Sequence, residues 1–151
     1  MNIEKQIFKT KIDNTFYLMH VGLLSIMLSA TIYTYNSSND SFGFIVVLGW
    51  FILALLFTTT SLLFLKIIIK DDDLIVNAGF NIYKIDIKTI NTIRLGETMW
   101  VGFHKHGTAK KGLVISSKFK NDLYITPRNE EVFHQKIVQI NPNIIIKKAD
   151  H

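Results

Sequence analysis

Between residues 41 and 65 the chain carries no Asp, Glu, Lys, Arg or His: SFGFIVVLGWFILALLFTTTSLLFL. Sixteen of these 25 residues are Leu, Ile, Val or Phe. A helix rises about 1.5 Å per residue, so a stretch of this length crosses a hydrocarbon core of roughly 30 Å. At about −0.3 to −0.6 kcal/mol for each centrally placed apolar residue, insertion gains at most roughly 5 to 10 kcal/mol. The hydroxyls of Thr58, Thr59, Thr60 and Ser61 reduce that gain slightly and can bond back to helix carbonyls. A helix in a soluble core keeps a polar side, and this one has none. The stretch predicts a membrane-embedded protein.

A second hydrophobic span precedes it. Residues 16–35, FYLMHVGLLSIMLSATIYTY, hold His20 as their one titratable side chain apart from tyrosines. Tyr17, Tyr33 and Tyr35 sit near its ends, where amphipathic rings favour the interface. His20 lies about one turn inside, close enough to the headgroups to stay neutral and solvated. The apolar run is too long for a signal peptide and no small-residue cleavage site closes it, so no cleavage is expected. The connection, residues 36–40 (NSSND), is short enough to force an antiparallel hairpin and carries only a negative charge. Both outer flanks are basic, with Lys5, Lys9 and Lys11 on one side and Lys66 and Lys70 on the other. The positive-inside rule then places both termini in the cytoplasm and the connection outside, for a chain expected in the inner membrane.

Charge is segregated along the 151 residues. Residues 14–65 hold Asp40 alone, whereas residues 66–151 hold fourteen Lys or Arg and nine Asp or Glu. That division predicts three parts: a cytoplasmic segment 1–13, a two-helix transmembrane hairpin 14–65, and a cytoplasmic domain 66–151. The chain has no cysteine, which excludes a disulfide framework and cysteine-ligated metal.

After residue 65 the hydrophobic period changes. KIIIK at residues 66–70 is a short β-branched run closed by Asp71-Asp72-Asp73, so it reads as strand and turn. Leu74-Ile75-Val76 follows, then a turn at Asn77-Ala78-Gly79. Residues 81–88 alternate, with Tyr83, Ile85 and Ile87 on one face and Lys84, Asp86 and Lys88 on the other, and Ile93 and Leu95 continue the pattern. Residues 96–111, GETMWVGFHKHGTAKK, break it and read as a mobile loop or wide hairpin end. Strands resume at residues 112–116 and 119–126. Thr126-Pro127 suits the start of a helix, with Glu130 and Glu131 in its first turn. Phe133, Ile137 and Ile140 mark its apolar stripe, and Asn141-Pro142 ends it. The domain is thus about seven short strands and one amphipathic helix, which covers the open end of a curved sheet.

These elements, in this order, resemble the bacterial YyaB-like PH-type domain family of small two-span membrane proteins. The similarity is carried by Leu74-Ile75-Val76 with Gly79, Gly112-Leu113-Val114-Ile115-Ser116, Ile125-Thr126-Pro127, Phe133 and Asn141-Pro142. It spans roughly residues 10 to 146. The resemblance implies a membrane α-helical hairpin joined to a β-rich (α+β) PH-like split barrel capped by a C-terminal helix. It implies neither catalysis nor a ligand, and the composition of residues 100–111 departs from it.

The candidate contact site lies in that departure. Lys105, Lys110 and Lys111, with His104 and His106, make a basic rim, and each Lys beside an anionic leaflet adds about 1 kcal/mol of attraction. Trp100 and Phe103 either dip into the interface or close the barrel core. His104 and His106 stand two apart and face one side of an extended segment, but no third protein ligand is at hand for zinc. Asp71-Asp72-Asp73 lacks the spaced oxygens and distal Glu of a calcium loop. No nucleic-acid recognition motif, nucleophile turn or phosphate loop is present. The sequence therefore predicts a non-enzymatic module, without cofactor, that docks a protein partner at the inner face of the membrane. The alternative is recognition of anionic lipid headgroups. Partner identity and oligomeric state are not encoded in any motif.

Overall fold

The computed structural model describes residues 5–37, 41–99, 102 and 104–149. Two long helices, α1 (Asn14–Ser37) and α2 (Ser41–Leu63), form the hairpin. Tyr35 packs on Phe44 near the connection, with ring centroids 5.5 Å apart. At the opposite end His20 shares a groove with Phe57 and Thr58. Both helices are long and apolar enough to cross a membrane, and only 6% of each apolar window is buried. That exposure differs from the core helix of a soluble fold, which is mostly buried: Phe42, Ile45, Trp50 and Phe57 all face outward.

The hairpin is followed directly by the β-domain. Leu65 opens strand β2 (Leu65–Lys70), two residues after α2 ends. Strand β1 (Gln6–Lys9), β2, β3 (Asp73–Ala78) and β4 (Asn81–Asp86) form one antiparallel sheet in that order. The second sheet has the order β7 (Leu123–Ile125), β6 (Gly112–Ser117), β5 (Ile90–Glu97), β8 (Ile145–Lys148), with β8 parallel to β5. Helix α3 (Glu130–Ile140) closes the open end. Phe133 and Ile137, on its apolar stripe, are fully buried, and Phe133 meets Phe8 of β1 edge-on at 5.2 Å. The core between the sheets is built from Ile67, Ile69, Leu74, Val76, Ile85, Ile93, Leu113, Ile115, Leu123 and Ile125. This is a PH-like split barrel with its capping helix.

Four features differ from the sequence reading. The basic flank at the N-terminus supplies β1, with Phe8 opposite Ile67 and turned to the core. Alternation concealed this strand because only four residues take part. The strand expected to run through residues 81–95 is divided by a 3-10 turn, Ile87–Thr89. Asp86 caps that turn by accepting from the Lys88 amide at 2.8 Å, and the chain crosses there from one sheet to the other. The strand expected from residue 119 starts only at Leu123, and Phe119 is 80% exposed in the preceding turn. Finally, α3 starts at Glu130 with Asn129 as its cap, whose side chain accepts from the Val132 amide at 3.2 Å. Pro127 is held extended instead, bridged to Thr10.

Asp71-Asp72 forms the expected turn between β2 and β3. Asp71 adopts φ 54°, a left-handed conformation that Asp tolerates. Lys84 pairs with Asp73 at 2.8 Å, and Lys88 pairs with Asp72.

Candidate functional site

The stretch between the N-terminus and α1 is not a free tether. Lys11 donates its amide to the Thr126 carbonyl at 2.6 Å, and Arg128 donates to Lys9 at 2.9 Å. These bonds close the corner between β1 and β7. Asp13, the last residue before α1, donates its amide to Thr108 at 3.1 Å and accepts from the Lys110 amide through its carboxylate at 2.6 Å. Thr108 returns its hydroxyl to the Lys11 carbonyl at 2.6 Å.

The same bonds fix residues 104–111, part of the stretch 96–111 that the sequence reading took as a mobile loop or wide hairpin end. This strap runs along the free edge of β7. His106 donates its amide to Tyr124 at 2.9 Å, and the Tyr124 amide donates to His104 at 3.0 Å. The strap then crosses the ring of Tyr124, whose hydroxyl donates to Ala109 at 2.7 Å. A Cβ at Gly107 would meet Cε1 of Tyr124 at 2.3 Å, so only glycine permits this approach. Burial, then the negative charges of Asp13 and Glu130, push the Tyr124 phenol up to about 12, which keeps its proton in place as a donor.

The strap divides the expected basic rim. Lys105, Lys110 and Lys111 are exposed. His104 and His106 turn inward, their ring centroids 4.6 and 6.1 Å from that of Tyr83. Burial, and secondarily the neighbouring His104, lower the pKa of His106, so it is neutral at pH 7. Its Nε2 is buried and makes no hydrogen bond among the described residues. His106 is therefore a packed aromatic group and adds no charge to the rim. Among the described residues no three His, Cys, Asp or Glu come together as a metal site. Trp100 and Phe103 lie outside the described residues.

The structure adds residues that sequence reasoning missed. Lys9 and Lys66 are direct cross-strand partners at the foot of the hairpin, an arrangement of like charges that is unfavourable without an anion nearby. Lys11 follows on the same arm. A cavity of about 600 Å³ lies between the helices and the domain, lined by Phe16, His20, Leu56, Phe57, Thr60, Phe80, Lys105 and His106 among others. Phe80, at the tip of the β3–β4 turn, is 70% exposed. A signal for it was present: a phenylalanine directly after Asn77-Ala78-Gly79, where turns are usually polar.

Charge is thus graded along the domain. Lys9, Lys11, Lys66, Lys105, Lys110 and Lys111 gather where the helices enter. Asp71, Asp72, Asp73 and Asp86 occupy the other end of β2, β3 and β4. Six residues of β2 at about 3.3 Å each separate the two ends by roughly 20 Å, more than two Debye lengths of about 8 Å at physiological salt. These four acids are too distant to cancel the field at the basic end, where Asp13 sets one carboxylate against the six lysines.

A split barrel with a capping helix, joined to two exposed apolar helices, defines a membrane-associated PH-like module. A family model described as bacterial PH domain matches residues 65–141, just over half of the chain, and the chain belongs to that family. It is similar to the uncharacterized protein YyaB of Bacillus subtilis (strain 168), with 27% identity over 145 residues, covering 93% of this chain and 96% of that one. That similarity therefore extends across the hairpin as well as the domain. No solved structure matches.

Proposed function

We propose that the protein is a non-enzymatic inner-membrane module whose PH-like domain recognises an anionic membrane surface from the cytoplasmic side. In this reading residues 14–65 span the bilayer twice and both termini are cytoplasmic. The domain comprises β1 together with residues 66–151. One observation carries the proposal: six lysines stand at the end of the domain joined to the helices, and the connections there are too short to turn that end away. At about 1 kcal/mol for each lysine close to the surface, such a rim holds the domain firmly against phosphatidylglycerol-rich lipid and only weakly against zwitterionic lipid.

Amine labelling of the full chain in lipid nanodiscs tests this. Lys9, Lys66, Lys105 and Lys110 should be protected when phosphatidylglycerol is included, while Lys84, Lys88 and Lys118 stay reactive. Equal labelling of the two sets in anionic and zwitterionic discs would overturn the reading. The orientation is checked separately on this cysteine-free chain: Ser37→Cys should react with an impermeant maleimide from outside intact cells, and Ser117→Cys should not.

A second reading, docking of a protein partner by strand addition, is favoured by β8. It is an edge strand with no outer partner among the described residues, and Ile145 is 58% exposed. Lys147 and Lys148 blunt that edge against indiscriminate pairing. Crosslinking in native membranes with mass spectrometry should then map a reproducible partner to residues 145–148. Crosslinks confined to lipid and to the chain itself would remove this reading.

A further inference from the structure

We propose that the cavity between the hairpin and the domain seats one anionic phospholipid of the surrounding leaflet, its phosphate at Lys105 and an acyl chain along Phe16, Leu56 and Phe57; this rests on the surface reading above and assigns it a single specific site. The volume, about 600 Å³, lies within the range of roughly 300–1,000 Å³ usual for small-molecule sites. It suits a headgroup with the first part of one chain.

Two features point to lipid as the occupant. The apolar wall is continuous with the outward face of the hairpin, since Leu56 is 59% and Phe57 70% exposed. A lipid can therefore enter sideways from the bilayer, by a route closed to a protein or a free phosphate. The polar end of the cavity offers one charge. Lys105 lines it, and no Asp or Glu appears among the described residues that do. The hydroxyls nearby are already committed as donors: Thr60 to the Leu56 carbonyl at 2.7 Å, and Thr108 to the Lys11 carbonyl. The imidazole of His20 turns Nδ1 to the Phe16 carbonyl at 2.7 Å. Lys105 is left as the cation for a phosphate oxygen, and its backbone is held by the bridge to Tyr124.

The test is native mass spectrometry of the full-length protein released from nanodiscs of phosphatidylcholine mixed with phosphatidylglycerol. The expected result is one phosphatidylglycerol retained per chain. Lys105→Ala should lower retention about fivefold, the equivalent of one surface lysine at about 1 kcal/mol. Lys118→Ala, which removes the same charge away from the cavity, should not. Thr60→Phe, which fills the cavity without altering charge, should abolish retention. Equal loss from Lys105→Ala and Lys118→Ala, or full retention by Thr60→Phe, would overturn the site and leave the surface reading standing. Retention of phosphatidylcholine as readily as phosphatidylglycerol, together with uniform lysine labelling in the two kinds of disc, would remove both.

Discussion

In the β-domain the fully buried side chains include Ile67, Ile69, Leu74, Ile93, Leu113 and Phe133; among the described residues of the hairpin, the buried ones are Thr31 and Thr58. The domain hides hydrocarbon and shows lysines, while the hairpin hides small hydroxyls and shows Phe42, Trp50 and Phe57. Each threonine in the helices satisfies itself locally, Thr31 on the Met27 carbonyl at 2.8 Å and Thr58 on the Ala54 carbonyl at 3.0 Å. The difference is the one expected of two regions folded for different solvents. Burial stabilises the domain because water surrounds it. Between the helices that drive is missing, since lipid tails are as apolar as leucine, and close packing of small residues takes its place. The two regimes meet at Asp13 and Leu65, and the strap joins them there by hydrogen bonds.

The sharpest way to break this contrast is to truncate the same side chain in both regions. Phe133→Ala removes a fully buried ring and should cost about 3–5 kcal/mol of domain stability. Phe57→Ala, on an exposed ring, should leave denaturant unfolding of the detergent-solubilised protein almost unchanged. Equal losses would mean that the hairpin is packed as a soluble core. The reverse experiment places charge in the greasy region. Leu53→Arg at mid-helix should disfavour insertion by about 2.5–3.5 kcal/mol, read out by a translocon glycosylation assay. An arginine in place of the exposed Phe119 of the domain should be silent.

The strap offers a middle-sized test. Gly107→Ala forces a methyl group against the Tyr124 ring, at a cost of about 1–3 kcal/mol typical of overpacking. Hydrogen exchange should speed up at the His106 and Tyr124 amides and stay slow in β2 and β3. Uniform acceleration across the domain would show instead that the strap belongs to the core.

What was legible in the sequence follows the range of the forces involved. The spans could be read because absence of charge over 25 residues is a local property. Strand β3 could be read as a short apolar run between two turns, β4 from alternation, and the turn at Asp71-Asp72 from its composition. The α3 stripe of Phe133 and Ile137 was visible at helical spacing. The strap was not legible, because its order comes from a distant segment: the Thr108 hydroxyl and the Lys11 carbonyl are 97 residues apart. Nothing local in GTAKK announces that contact. For the same reason composition could not separate Lys105, Lys110 and Lys111, which are exposed, from His104 and His106, which turn inward on Tyr83. The junction cavity needed both helices and two turns in place before it existed, so no window of sequence contains it.

A smaller effect compares the two threonines that tie each region together. Thr108→Val loses the short bond to the Lys11 carbonyl and leaves it only the longer one from the Thr126 hydroxyl at 3.2 Å, which should cost about 1 kcal/mol. Thr58→Val removes only bonds to carbonyls of its own helix and should cost about 0.6 kcal/mol. Thermal unfolding in one detergent ranks the pair, and the reversed order would contradict the assignment of the strap as the joint between regions.

The gentlest perturbation is pH, and it acts on one side of the contrast only. His106 packs against Tyr83 and His104, and burial, then the His104 charge, hold its pKa below the ordinary 6.5. The unfolded chain therefore takes up a proton before the folded one does, so stability rises with pH across this window. The contribution of a neutral His106 is fully present above about 6.5. It declines as pH falls below that value and levels off once the folded-state pKa is passed. Denaturant midpoints measured from pH 7.5 down to 5 should show the domain losing stability over the lower part of that range. His106→Gln should flatten the profile, because glutamine fills much of the same space and does not titrate. A profile of unchanged slope in that variant would assign the pH dependence to groups other than His106, which would then be no more than a spacer beneath the strap.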